Sequence, residues 1–205
     1  MSLLEWHERL DAHYQTLRQN RERSGEWPVF ALEHGLGADE RTDLAQAIRE
    51  HIRWREPSDY YWLPWIAYAA ELGYSFDGSE YWWTFETETP GWRAHGDRYW
   101  IRRYFKKFQS EYGGAQPSGP WAEHRSIICW PITHAILPRD LQGQLARILY
   151  QLSSSLNSDL LGSTDRLGEA IAARTWSATS RFQEFVRQTA LTGQIAAALL
   201  VDDAG

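Results

Sequence analysis

Three of the seven histidines directly follow a glutamate, in Glu33-His34, Glu50-His51 and Glu123-His124. A carboxylate that orients an imidazole can support general-base catalysis. Neighbouring residues on a helix point about 100° apart, however, so only tertiary folding could bring such pairs to one site. His7 and His13 share the stretch HERLDAH. Six helical steps turn the second ring about 240° from the first, so one helix cannot aim both at one metal. His134 and Cys129 lie in ICWPITHAIL, the most apolar run, and read as core residues rather than as a base and a nucleophile. The spacings of a phosphate loop, a paired-cysteine metal knuckle, a nucleophile elbow and a zinc-protease helix are all missing. GGAQPSGP, residues 113–120, is rich in glycine but has no strand before it and no suitably spaced lysine after it, so it reads as an interhelical loop. No catalytic residue, metal site or cofactor is assigned, and the chain reads as non-enzymatic.

Binding chemistry is easier to place. In DRYWIRRYFKKFQSEY, residues 97–112, cations and rings alternate along the chain. On a helical wheel they separate: Trp100, Ile101, Tyr104, Phe105, Phe108 and Tyr112 share one arc, while Arg98, Arg102, Arg103, Lys106 and Lys107 fill the other. A base-stacking platform needs rings and cations on the same exposed side. The rings are therefore expected in the core. The five cations form either a solvated face, partly paired with Asp97, Glu111 or other acids, or a strip for nucleic-acid phosphates or an acidic partner.

Aromatic content is the main anomaly, with 12 Trp, 10 Tyr and 7 Phe concentrated between Trp54 and Trp130. YYWLPWIAY and EYWWTF set rings at consecutive positions, and consecutive helical residues cannot all face one core. Some of Tyr60, Tyr61, Trp62, Trp65, Trp82 and Trp83 are thus expected on a second face. That face is either covered by another helix or exposed as a partner-binding patch.

The elements that carry these groups read as helices. Residues 3–22 are amphipathic and end at SGEWP; PVFALEHG makes short turns; ADERTDLAQAIREHIRW opens with the acids a helix dipole favours. Pro64 opens or kinks the next helix, which Gly73 stops. Asp77 with Glu80 has capping-box spacing, and YWWTFETE reads as a short helix ended by Thr89-Pro90-Gly91. WAEHRSIICWPITHAIL reads as a deeply buried helix, bent or restarted at Pro131. Further helices follow, with Leu141, Leu145, Ile148, Leu149 and Leu152 on one face and Ser163 or Thr164, and Ser177, as caps. The fold class is all-α: one domain over 1–205 of about eight to ten helices, with an aromatic-rich core and no regular solenoid period. Its apolar last helix and VDDAG ending suggest the N-terminal module of a longer protein.

The formal charge of −6 disfavours nonspecific coating of nucleic acid. A lone cysteine and no visible signal or membrane-spanning stretch suggest the cytoplasm. The leading expectation is a helical scaffold that binds a protein partner, or further domains of its own chain, through the Trp/Tyr-rich surface. The alternatives are a nucleic-acid-associated module of a bacterial DNA-processing or defence assembly, and an enzyme whose site is assembled from dispersed His and Glu residues.

Overall fold

A computed structural model describes residues 1–25, 28–187 and 189–202. Among the described residues thirteen α-helices follow one another: α1 (Leu3–Ser24), α2 (Ala38–Ile52), α3 (Leu63–Tyr74), α4 (Tyr81–Glu88), α5 (Trp92–His95), α6 (Arg98–Tyr112), α7 (Gly119–His124), α8 (Cys129–Thr133), α9 (Arg139–Leu152), α10 (Ser158–Leu161), α11 (Thr164–Ala172), α12 (Ser180–Val186) and α13 (Thr189–Asp202). The described residues contain no β-strand, only an isolated parallel bridge between Val29 and Gly114. The fold is all-α. Its contacts divide it into two compact units, Met1–Pro117 with Arg125–Pro138, and Ser118–His124 with Arg139–Gly205. The SGEWP break after α1 includes Glu26 and Trp27, and the VDDAG ending includes residues 203–205; these lie outside the described residues.

In the first unit, local signals set the helix ends. Ser2 and Glu5 form a reciprocal capping box, with the Glu5 N–H donating to Ser2 Oγ and the Ser2 N–H donating to Glu5 Oε2. Asp97 caps α6 by accepting the Tyr99 N–H, and Gly113 ends it in the left-handed region at φ 68°. Pro64 sits in the first turn of α3, where its missing N–H costs no helical bond. Asp77 does not cap α4. Its carboxylate accepts the Ser79 N–H and closes a turn two residues before the helix, which begins at Tyr81.

The core of this unit is built around α3. Leu63, Pro64, Trp65, Ile66, Ala67, Tyr68, Ala69, Ala70 and Gly73 are all buried, because α1, α2, α4, α6 and α8 pack around the helix. Gly73 is a packing residue as well as part of the last turn. A Cβ there would stand 2.7 Å from the Pro131 carbonyl oxygen, so glycine allows α8 to approach. On α6 five residues of the apolar arc, Ile101, Tyr104, Phe105, Phe108 and Tyr112, are buried, and the sixth, Trp100, is half-buried.

The stretch expected as a buried helix, bent or restarted at Pro131, is instead broken ahead of that proline. It forms α7, turns over 125–128, and α8, which contains Pro131. No residue of α7 is buried, and polar Glu123, His124, Arg125 and Ser126 leave that stretch no continuous apolar face.

Between α1 and α2, residues 28–37 form a non-helical strap, held by bonds to distant residues. The Val29 N–H donates to the Gly113 carbonyl, and the Ala115 N–H donates to that of Val29. The Leu32 N–H donates to the His134 carbonyl, and the Tyr14 hydroxyl to the Ala31 carbonyl. Buried backbone groups outside helices need such partners.

In the second unit, Ser163 caps α11 by accepting the Arg166 N–H. Thr179, not Ser177, caps α12, where it accepts the Phe182 N–H. α11 and α13 approach at Gly193, where a Cβ would fall 1.7 Å from the Thr164 carbonyl oxygen. Leu141, Leu145, Ile148 and Leu152 form the buried stripe of α9.

Candidate functional site

The six aromatic residues expected at a partner surface separate by exposure. Tyr60 and Trp83 are exposed, Tyr61 is half-buried, and Trp62, Trp65 and Trp82 are buried. The three buried rings belong to the core rather than to a contact surface. Trp62 stands among Tyr104, Tyr112 and His7, at ring centroids 6.3, 6.1 and 6.0 Å away. Trp65 lies 5.5 Å from Trp92, and Trp82 lies 5.3 Å from Phe85. The second face of the consecutive rings is largely covered by neighbouring helices.

The basic strip is mostly neutralised. Arg98 pairs with Glu86 at 2.6 Å, Arg103 with Asp59 at 2.7 Å, and Lys107 with Glu111 at 3.7 Å. Glu86 also receives Arg93 at 2.8 Å, and the two guanidinium groups hold its carboxyl below the usual range. Lys106 is exposed, and Arg102 is half-buried with no hydrogen-bond partner at its Nε. The clean separation of rings and cations on the wheel does not survive folding. Arg98 lies over Trp82 at 5.4 Å, Arg103 over Trp100 at 4.1 Å, and Lys107 over Trp62 at 4.8 Å. Long cationic side chains bend back across apolar surface while their charges stay near water.

None of the three Glu-His neighbours forms a His–Glu pair. His34 instead meets Glu71, which is 37 residues away, with 2.7 Å from Nε2 to Oε1. Its Nδ1 accepts the Leu36 N–H at 3.0 Å. With one nitrogen accepting and the other donating, the neutral ring has no lone pair left for a substrate proton. His134 is likewise occupied, its Nδ1 accepting the Ala31 N–H at 3.2 Å and its Nε2 donating to the Ala115 carbonyl at 2.7 Å. Burial lowers its pKa to about 3. Burial also pushes the Cys129 thiol up to about 11, and the thiol donates to the Ser126 carbonyl. His7 and His13 go separate ways, the first accepting the Leu63 N–H and the second facing the Glu33 carbonyl. Among the described residues, no group of three or more His, Cys, Asp or Glu side chains is placed to hold a metal ion. The glycine loop joins the strap through Gly114, where a Cβ would meet Phe108 at 2.5 Å.

A cleft of about 410 Å³ opens in the first unit, beside the first turn of α1, the end of α2 and the residues that follow. Leu4, Glu50, His51, Trp54, Arg55 and Tyr61 contribute to its lining. Trp54 is 82% exposed and Tyr60, next to Tyr61, is 81% exposed. The chain forms this site by ending α2 at Ile52 and leaving 53–62 non-helical, with the Tyr61 N–H donating to the Ser58 carbonyl. His51 meets Tyr61 edge-on at 5.2 Å, and its Nε2 donates to the Glu56 carbonyl at 3.0 Å. Glu50 accepts from Gln46 instead. Glu50 and His51 thus line one cleft without being joined in an acid–base relay. The volume suits one large side chain or a small ligand. Trp54 was not singled out from sequence; its one signal is a tryptophan just past a helix end, off the apolar stripe of Leu44, Ile48 and Ile52.

Among the described residues, no helix is long and apolar enough to cross a membrane. No family model, no curated protein and no solved structure matches this chain.

Proposed function

We propose that the chain is a non-catalytic helical interaction module, and that a protein partner docks through the cleft beside Trp54 and Tyr61. The observation that carries this reading is the exposure of Trp54 and Tyr60 beside a cleft walled in part by Leu4 and Tyr61. Large rings left in water are the side chains that most often anchor protein interfaces, and a cleft beside them can receive an apolar side chain of the partner. The salt bridges of Arg98, Arg103 and Lys107 support a minor role for the basic strip, since a phosphate would compete with carboxylates already in place.

The test is a pull-down from the native host with the wild type and with the double variant Trp54→Ala/Tyr60→Ala. Both side chains are exposed, so the variant should keep its helical circular dichroism and lie within about 0.5 kcal/mol of the wild type in stability. A specific partner held by the wild type should bind the variant at least about 30-fold more weakly, the loss expected for an interface hot spot. Equal retention by both baits, or no partner beyond a control bait, would overturn the reading.

A further inference from the structure

The strap over residues 28–37 is pinned by histidines from three directions. His134 takes the Ala31 N–H on Nδ1 and gives its Nε2 proton to Ala115, and its backbone carbonyl takes the Leu32 N–H. His34, within the strap, bonds Glu71 of α3 and the Leu36 N–H. His13 of α1 faces the Glu33 carbonyl at 2.6 Å. Around the His134 ring stand Phe105 and Phe108 of α6 and Trp130 of α8, none of them charged. The titratable groups that meet the strap are Tyr14, His13 and Arg21 of α1, with Tyr112 of α6 behind Tyr14 at a ring distance of 5.6 Å, and Glu33 on the strap itself. Glu33 is engaged by Arg21 and by the Phe30 N–H, and Tyr112 donates to Asp11. At the His34 pin the charged groups are Glu71 and Arg41, which lie 3.8 Å apart, and Glu40 of α2, which Arg9 engages.

We propose that the strap is an acid-sensitive latch, released as a local unit when His134 takes a second proton. A protonated ring has a donor on both nitrogens. Its Nδ1–H would then oppose the Ala31 N–H in a buried site, so the closed strap loses a bond and acquires a repulsion. The open strap hydrates the imidazolium and exposes Val29, Phe30 and Ala31, all buried when the latch is closed. Burial lowers the closed-state pKa to about 3, whereas an opened histidine titrates near its ordinary value of 6.5. Protons therefore favour the open form as pH falls below 6.5. The opening equilibrium should rise about 25-fold between pH 7 and pH 5.

Amide hydrogen exchange on the intact protein, corrected for the intrinsic pH dependence of exchange, tests this. Peptides covering 28–37 and 113–116 should lose protection by about 25-fold from pH 7 to pH 5, while α3 peptides keep theirs. Unchanged strap protection, or loss shared equally by α3, would overturn the proposal. Neither readout needs a variant. His134→Gln adds a second test, because an amide cannot take up the proton. Its strap should open to the same extent at both pH values, and a wild-type pH response in that variant would also overturn the latch.

Discussion

Replacing Arg181 with methionine is expected to destabilise the protein by about 3–5 kcal/mol. In the second unit this guanidinium from α12 pairs with Asp140 in the first turn of α9, and their side chains are only 10% and 17% exposed. The Trp121 ring lies 5.1 Å from the guanidinium carbon, and Asp140 Oδ1 is buried without a hydrogen-bond partner. Burial pushes both groups toward their neutral forms, raising the Asp140 pKa and lowering that of Arg181, and their attraction offsets only part of this. Removing the cation strands a carboxylate that is already poorly solvated. A double variant, Asp140→Leu/Arg181→Met, should recover most of the loss, because an apolar pair needs no desolvation. Urea denaturation of the parent, single and double variants measures both effects. A single variant within about 1 kcal/mol of the parent would show the pair to be effectively solvated.

The second large effect concerns His134→Leu. At pH 7 it leaves the Ala31 N–H and the Ala115 carbonyl buried without partners, at about 1–3 kcal/mol each, so the expected loss is about 4 kcal/mol. The sign of the pH dependence follows from the lowered folded-state pKa. The unfolded chain binds a proton near 6.5 and the folded one only near 3, so wild-type stability falls as pH drops through that window. By pH 5 this amounts to about 2 kcal/mol. The leucine variant carries no such penalty. The gap between wild type and variant should therefore narrow from about 4 to about 2 kcal/mol between pH 7 and pH 5. Urea midpoints at the two pH values check this, and a constant gap would remove His134 as the source.

How much of this was legible in the sequence depends on where each element finds its partners. α6 was readable because its apolar arc and its cap are local features. α3 was harder. A helix whose first eight residues are all buried has no polar stripe to set its phase, and the chain does not announce that five other helices pack against it. The consecutive rings of YYWLPWIAY and EYWWTF raised the right alternatives, a covered face or an exposed patch, but only tertiary contacts sort Trp62 from Tyr60. The strap was beyond sequence reasoning, since His134 is 103 residues from Ala31. The adjacent Glu-His pairs drew attention to neighbours that point apart, while the real pair, His34 with Glu71, spans 37 residues. Of the candidate site, Tyr60 and Tyr61 were anticipated. Trp54 and the cleft depend on how the end of α2 meets the start of α1.

The uneven exposure of the indoles has an optical consequence. Trp54, Trp83 and Trp176 stand in water, whereas Trp6, Trp62, Trp65 and Trp92 are sealed in the interior. A dissolved quencher such as iodide reaches the first set and spares the second, leaving a bluer residual emission. Trp54 is the member of the first set that lines the cleft. A molecule seated there shields one of the accessible emitters, so unlabelled protein reports its own occupancy through a fall in quenchable fluorescence.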